Sequence, residues 1–132
     1  MSDLALYRDV IELCEYLDIE DKDFKQQVYD NITDGLTDFE LHTGAESWRF
    51  INEDQIDDIA KDEIQELVKD TYLYDFDFDK LWWLEIDWEQ TAENVISADG
   101  YGHHFATYDG NEYEWEFISE MVKENYYIFR TN

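Results

Sequence analysis

Carboxylates recur at regular intervals in three segments of this sequence, and the chemistry they offer is that of ordered negative charge. An interval of four residues separates Asp58, Asp62 and Glu66. An interval of two residues separates two further sets, which are Asp75, Asp77 and Asp79, then Glu112, Glu114 and Glu116. These intervals correspond to about 6 Å along a helix and about 6.7 Å along a strand. A DNA strand advances about 3.4 Å per phosphate, so either interval approximates two phosphate steps.

The net charge of the chain favours the same chemistry. The 132 residues include 35 Asp and Glu against nine Lys and Arg, which gives a formal net charge of −26 at pH 7. So much like charge destabilises a compact state by self-repulsion, which indicates either a functional polyanion or a salt-adapted protein. Salt-adapted proteins usually contain few bulky aromatic residues, whereas 17% of this chain is aromatic. We therefore favour a functional polyanion, which attracts cationic surfaces and is repelled by nucleic acids and anionic membranes.

Residues for catalysis or cofactor binding are scarce in this sequence. Cys14 falls on the apolar side of a predicted helix, which favours a buried thiol over a nucleophile. His103 and His104 are neighbours in a predicted strand, so their rings would point to opposite faces and would not share a metal ion. The run 75–79 differs from a calcium-binding loop, because the sixth position is Lys80 rather than Gly. We expect no enzyme activity, no cofactor and no metal site, and the competing interpretation of an enzyme or metal protein rests on His103 and His104 alone.

Hydrophobic periodicity predicts four helices. They are residues 3–18, 21–35, 52–68 and 87–96. Leu36 and Phe39 are predicted to continue the second helix by one turn. Asn52 and Gln55 resemble a capping box at the start of the third helix. Asp99-Gly100 is predicted to end the fourth helical region.

Alternation with a period of two predicts strands, mostly in the second half of the chain. They are residues 47–51, 72–79, 103–108, 112–117 and 126–130. Aromatic residues alternate with aspartates in 72–79, which predicts a half-buried strand with one carboxylate-lined face. Asp109-Gly110 favours a hairpin between the strands on either side. The whole chain, residues 1–132, is predicted to be a single acidic α+β domain with N-terminal helices packed on a C-terminal antiparallel sheet.

Three short segments in the C-terminal third carry a resemblance to a known family. They are Ile86–Glu93 (IDWEQTAE), Asp99–Gly102 (DGYG) and Tyr126–Arg130 (YYIFR). This arrangement resembles the end of ArdA-type antirestriction proteins, in which an Asp-Tyr-Glu-like helix start precedes an acidic turn and an aromatic closing strand. In general character the chain is also similar to phage and plasmid DNA mimics, which include some anti-CRISPR proteins. The resemblance implies a stoichiometric inhibitor that occupies the DNA site of a host nuclease, methyltransferase or CRISPR complex.

These observations predict a DNA-mimic inhibitor of a host defence enzyme, of the restriction-modification or CRISPR-Cas type. The partner would be a basic nucleic-acid-binding protein or complex, contacted through the three carboxylate sets. Trp82 and Trp115 are candidate uncharged anchors at the edge of this contact, although core burial is the expected role of each one taken singly. The alternative is an immunity or chaperone-like protein that binds one basic partner, such as a nuclease toxin.

The location predicted for this protein is the cytoplasm of a bacterial host cell. The first ten residues, MSDLALYRDV, have neither the basic nor the apolar region of a secretory signal, and the single cysteine suits a reducing compartment. The densest apolar patch, residues 81–84, is far shorter than the roughly 20 residues that span a bilayer. If the protein forms a homodimer, the Trp-rich segment 81–88 is the predicted contact.

Overall fold

In a computed structural model, residues 3–132 form an antiparallel β-sheet covered by α-helices. The helices are α1 (Leu4–Tyr16), α2 (Lys22–Thr33), α3 (Ile56–Thr71) and α4 (Trp88–Phe105). The strands are β1 (Asp38–Thr43), β2 (Glu46–Asn52), β3 (Tyr113–Ile118) and β4 (Lys123–Arg130). Neighbouring strands all pair antiparallel, in the order β1-β2-β4-β3. The predicted α+β class, with N-terminal helices packed on an antiparallel sheet, is confirmed.

The sheet lies between two pairs of helices, because successive residues of its central strands point to opposite faces. Trp48 and Phe50 of β2 pack with α1 and α2, whereas Ile51 packs with α3 and α4. Strand β4 alternates in the same way, with Ile128 on the first side and Phe129 on the second. Each face of the sheet therefore has its own hydrophobic core, and the two cores share the central strands.

The first core forms where α1 and α2 pack on the sheet. Asp3 and Asp21 cap these helices, and each accepts a 3.0 Å hydrogen bond from the backbone N–H three residues further on. The fully buried residues of α1 are Leu6, Val10, Leu13 and Cys14. Burial raises the pKa of the Cys14 thiol to about 11. The prediction of a buried thiol is confirmed.

A strand replaces the extra helical turn expected after α2. Gly35 has a φ of +78°, a left-handed conformation that ends a helix at little cost when the residue is glycine. Leu36 is exposed, and Phe39 lies on β1 opposite Phe50 of β2. Buried Phe39 and Leu41 alternate with exposed neighbours, as in a half-buried strand. The prediction of a helical turn at Leu36 and Phe39 is wrong, because the turn at Gly35 lets the chain pair with β2.

The strand predicted at 72–79 is also wrong. Helix α3 continues to Thr71, and the residues that follow it form turns and irregular backbone. Asp77 accepts hydrogen bonds from the backbone N–H groups of Asp79 and Lys80, which closes a turn. No strand in the described part of the chain pairs with this segment. The alternation of aromatic and acidic residues in this segment therefore does not correspond to a strand of the sheet.

Helix α4 is longer than predicted and contains a kink. Gly100 has a φ of 81° and a ψ of 165°, and the helix resumes after it. His103 and His104 therefore lie on a helix, and the strand predicted at 103–108 is wrong. The other half of the predicted hairpin, 112–117, largely corresponds to β3, which pairs with β4 instead. Because α4 is only kinked at Gly100, the helix continues past the position at which the sequence predicts its end.

The capping box predicted for the third helix does not form, although the helix itself does. Asn52 Oδ1 accepts a 2.8 Å hydrogen bond from the backbone N–H of Asp54, and Gln55 makes no side-chain cap bond. The strands predicted at 47–51 and 126–130 are confirmed, since they lie within β2 and β4. The central part of the sheet thus follows the sequence pattern, and the errors fall at its edges and in its connections.

Gly102 lies where the end of α4 meets the loop that leads to β3. A Cβ added at Gly102 would lie 2.3 Å from the carbonyl oxygen of Gly110, closer than side chains tolerate. Because the backbone would have to shift, Gly102→Ala should lower the free energy of unfolding by about 1–3 kcal/mol. Urea unfolding followed by circular dichroism measures this change, with Ser97→Ala on the exposed side of the same helix as the control. A loss no larger for Gly102→Ala than for Ser97→Ala would contradict the close approach.

Candidate protein-binding surface

The β3 glutamates share one face of the sheet. The residues of β3 that pack with the first core are Tyr113, Trp115 and Phe117. Glu114 and Glu116 therefore project from the opposite face, the one that α3 and α4 cover in its centre. Glu114 accepts a 2.7 Å hydrogen bond from Asn125 Nδ2 on β4. Glu112, which precedes the strand, accepts a 3.1 Å hydrogen bond from the backbone N–H of Gly102.

Carboxylates from separate parts of the chain converge around Tyr101 of α4 and Tyr127 of β4, whose ring centroids are 5.1 Å apart. Burial raises the pKa of Tyr101, and so does the hydrogen bond that its hydroxyl donates to Asp57 at the start of α3. Burial also raises the pKa of Tyr127, and nearby negative charge adds to the increase. The carboxylates responsible are Glu114, Glu53, Glu112 and Asp57. The β3 edge and the start of α3 therefore form one negative surface.

The α3 carboxylates continue this surface along the helix. Asp58, Asp62 and Glu66 are all exposed, and their four-residue spacing places them along one side of α3. Asp58 follows Asp57 directly, and both line the groove between α3 and α4. We call the combined surface the acidic band. Its residues are Glu53, Asp57, Asp58, Asp62, Glu66, Glu112, Glu114 and Glu116.

Two cavities lie along the acidic band. The groove between α3 and α4 has a volume of about 290 Å³, and Ala60, Ala92 and Ile96 form its apolar part. The carboxylates that line it are Asp57, Asp58, Glu89 and Glu93. A second cavity, of about 270 Å³, is lined by both Glu53 and Glu116. The second cavity thus joins β3 to Glu53, and the groove joins the start of α3 to α4.

Two lysines lie beside the acidic band: Lys61 lines the groove between α3 and α4, and Lys123 lines the second cavity with Glu53 and Glu116. Arg49 forms 2.7 Å ion pairs with Asp38 and Glu63, and Arg130 lies 3.6 Å from Glu46. Within residues 3–132, no Lys, Arg or His forms an ion pair with a residue of the band. The eight carboxylates of the band outnumber Lys61 and Lys123, so the band is net negative.

Arg49 links the sheet to α3, which carries part of the acidic band, and to α4, which lies beside it. Its guanidinium pairs with Asp38 on β1 and Glu63 on α3, and lies 5.1 Å from the ring centroid of Phe105 on α4. His104 Nε2 lies 3.5 Å from Glu63 and has no hydrogen-bond partner among the described residues. Burial raises the pKa of Glu63, but His104 and Arg49 outweigh burial and lower this pKa to about 2. This cluster holds α3 against the sheet.

The predicted aspartates of residues 75–79 lie apart from the β3 glutamates. They are Asp75, Asp77 and Asp79, and all three are exposed. Lys69 near the end of α3 contacts Trp88 at the start of α4, whereas Asp57 at the start of α3 bonds Tyr101. The two helices are therefore antiparallel, and the residues connecting them lie at the end of α3 away from β3. The length of α3, about 24 Å, separates the two sets.

The two candidate anchors differ in their surroundings. Trp115 is half-buried, and its ring centroid lies 5.7 Å from that of Tyr16. Trp82 is 81% exposed, so the expectation of core burial is wrong for this residue. The physical reason is that Trp82 lies in the irregular connection between α3 and α4, which packs against neither core.

The described residues contain neither a metal-binding group nor a membrane-spanning helix. No three His, Cys, Asp or Glu side chains in residues 3–132 are placed to hold a metal ion. His103 is exposed, whereas His104 packs against Phe105 with ring centroids 4.7 Å apart. Over the same residues, no helix combines the length and the apolarity needed to cross a bilayer.

Sequence reasoning missed Glu53 and Asp57, which join the β3 glutamates to α3. Neither residue belongs to a regular series, and what brings them to Glu112 is the packing of Tyr101 on Tyr127. This contact joins residues 26 positions apart in the chain, so no local pattern indicates it.

The chain matches no protein-family model, no curated protein and no solved structure. The resemblance of residues 86–130 to ArdA-type antirestriction proteins therefore stays a prediction. What the fold and the surface define is an acidic α+β protein in which, over residues 3–132, no carboxylate of the acidic band forms an ion pair.

Glu63→Gln should destabilise the protein in a pH-dependent way. The folded-state pKa of Glu63 is about 2 against an ordinary value of 4.5, so its ionised form stabilises the fold above pH 4.5. This contribution is lost as the pH falls from 4.5 towards 2, because the folded state then takes up the proton too. The difference in unfolding free energy between the wild type and Glu63→Gln, measured in urea, should be largest near neutral pH and shrink on acidification. Exposed Glu66→Gln is the control, and an equal pH dependence for both variants would argue against the cluster.

Proposed function

We propose that this protein is a DNA-mimic inhibitor, which occupies the nucleic-acid-binding site of a bacterial defence enzyme. The observation that carries the proposal is the acidic band, whose carboxylates come from β3 and α3 and make no internal ion pair in the described residues. The enzyme would be of the restriction-modification or CRISPR-Cas type, because such enzymes hold nucleic acid in grooves rich in Lys and Arg. Inhibition by occupancy needs no catalysis, cofactor or metal.

Electrostatics would drive the association with such a groove. Each carboxylate that takes the place of a phosphate lets the enzyme keep an ion pair that it would otherwise make with DNA. The net charge of −26 also steers the encounter, and such steering raises association rates well above those of neutral partners. Binding should therefore be fast at low salt and weaken steeply as salt is added.

The geometry of the acidic band supports imitation of a phosphate backbone. Glu114 and Glu116 lie about 6.7 Å apart along β3, with Glu112 just before the strand, and the α3 carboxylates recur at about 6 Å along a helix. Both elements are anchored, since β3 is paired with β4 and α3 is held by the Arg49 cluster. Because the spacing is fixed before binding, little conformational entropy is lost when the groove closes on it.

Competition with DNA tests the proposal directly. A type I restriction enzyme and a Cas9–guide RNA complex serve as defined targets, each with a fluorescent 30-bp duplex that carries its site. The protein should displace the duplex and block cleavage at near-stoichiometric concentration, with a steep dependence on salt. If neither target, nor any other DNA-binding defence enzyme tested, loses its duplex to the protein, the proposal fails.

Neutralising the band should weaken inhibition more than neutralising the opposite side of the molecule. The band variant replaces Glu112, Glu114 and Glu116 with Gln. The control replaces Glu12, Glu15 and Glu20, which are exposed on and after α1, so both variants change the net charge equally. The band variant should need about tenfold more protein for half-inhibition, and the control less than about twofold more. Equal losses would show that only the total charge matters, as in a salt-adapted protein.

An immunity or chaperone-like partner of one basic protein is the second candidate. Exposed Trp82 and Trp83 favour it, because such rings suit recognition of a protein surface and have no counterpart in a phosphate backbone. A protein of this kind would bind its partner without displacing DNA from it. Binding to a nuclease toxin that leaves its DNA complex intact would therefore select this candidate over the first.

A further inference from the structure

The connection between α3 and α4 exposes an unusual number of large apolar side chains. Residues 72–87 form it, and we call this segment the aromatic connector. Its most exposed large side chains are Tyr72, Tyr74, Trp82 and Trp83. Trp82 is 81% exposed and Trp83 is 63% exposed. Large exposed apolar patches are rare on soluble proteins and mark interaction sites.

Carboxylates are interleaved with these rings. The acidic residues of the connector are Asp75, Asp77, Asp79, Glu85 and Asp87. Lys80 is its one basic residue, and this ammonium lies 3.9 Å from Asp77. Asp77 and Asp87 also accept backbone hydrogen bonds, which fixes their turns. Asp75, Asp79 and Glu85 make no side-chain hydrogen bond or ion pair within the described residues and face solvent.

Two rings at this end of α3 already bind a cation from the same chain. The Lys69 ammonium lies 5.4 Å from the ring centroid of Phe78 and 5.7 Å from that of Trp88. Within residues 3–132, no Lys or Arg stacks on Trp82 or Trp83. Phe78 and Trp88 thus contact a cation of the same chain, whereas Trp82 and Trp83 are exposed to solvent and contact no cation in the described residues.

The negative charge of the molecule restricts which partners can bind the aromatic connector. Nucleic acid and anionic membrane would be repelled by the connector and by the rest of the chain. A second copy would bring another net charge of −26 against the same carboxylates. Arginine fits both features of the segment, because its guanidinium stacks on aromatic faces while its N–H groups pair with carboxylates.

We propose that the aromatic connector is a docking surface for arginine side chains of a partner protein. The guanidinium groups stack on Trp82 and Trp83 and donate hydrogen bonds to neighbouring carboxylates such as Glu85. The surface lies at the other end of α3 from the β3 glutamates, so it adds a contact whose specificity does not depend on phosphate imitation. It rests on the proposed function only in that both require a cationic protein partner.

Two peptides of equal charge test the proposal, one of nine arginines and one of nine lysines. Titration at 150 mM NaCl into the ¹⁵N-labelled protein is followed through the indole N–H signals. The nonaarginine peptide should shift the signals of Trp82 and Trp83, which are those missing from the spectrum of the W82A/W83A variant. It should also bind about fivefold more tightly than nonalysine.

Substitutions distinguish binding by the rings of Trp82 and Trp83 from general electrostatic attraction. W82A/W83A should remove the preference for arginine, and W82F/W83F should keep part of it, because a phenyl ring still accepts the guanidinium. The control is L4A/M121A, which removes two equally exposed apolar side chains away from the connector and should change nothing. Since all these positions are exposed, circular dichroism should show the same fold for every variant.

The outcomes separate this inference from the proposed function. Equal affinity for both peptides, or indole signals that do not move, would overturn the docking surface whatever the acidic band does. Self-association of the wild type that W82A/W83A abolishes would overturn it too, in favour of a second copy as the occupant. Loss of arginine preference in W82A/W83A, together with a failure of DNA competition, would sustain the docking surface and refute the DNA mimic.

Discussion

Mutual repulsion among carboxylates is the constraint that the rest of this structure has to offset. A net charge of −26 opposes compaction at every point of the surface, so the interior has to supply the opposing free energy. Two hydrophobic cores, one on each face of the sheet, do so with large rings such as Phe50, Tyr126 and Phe129. The aromatic content that argued for a folded chain is thus also what allows the charge to be tolerated.

The placement of the basic residues shows how the molecule uses its few cations. Arg49 stands at the centre of the sheet and binds two carboxylates, one from β1 and one from α3, while Lys69 is held by rings at the end of α3. Both positions tie elements together. The carboxylates of β3 and of the outer side of α3 are left without such partners in the described residues, so internal cohesion and external charge are divided between different parts of the surface.

The sequence predicted what depends on local periodicity and failed where distant contacts decide. Helices α1 and α2 were recognisable because their apolar residues repeat at helical spacing over several turns. Strand β1 was missed because its alternation gains meaning only beside β2, and residues 72–79 alternate without any partner strand. In the candidate site, the regular spacing of Glu112, Glu114 and Glu116 could be read from the sequence, whereas Glu53 and Asp57 join them through packing of Tyr101 on Tyr127.

The sheet has two open edges, β1 and β3, and both carry carboxylates that point outward. Unpaired edge strands invite other chains to add to them, and charged side chains are a common defence against such growth. Here that defence consists of Glu40 on one edge and Glu114 and Glu116 on the other. The same carboxylates that would attract a cationic partner therefore also oppose the pairing of one copy of this sheet with another, edge to edge.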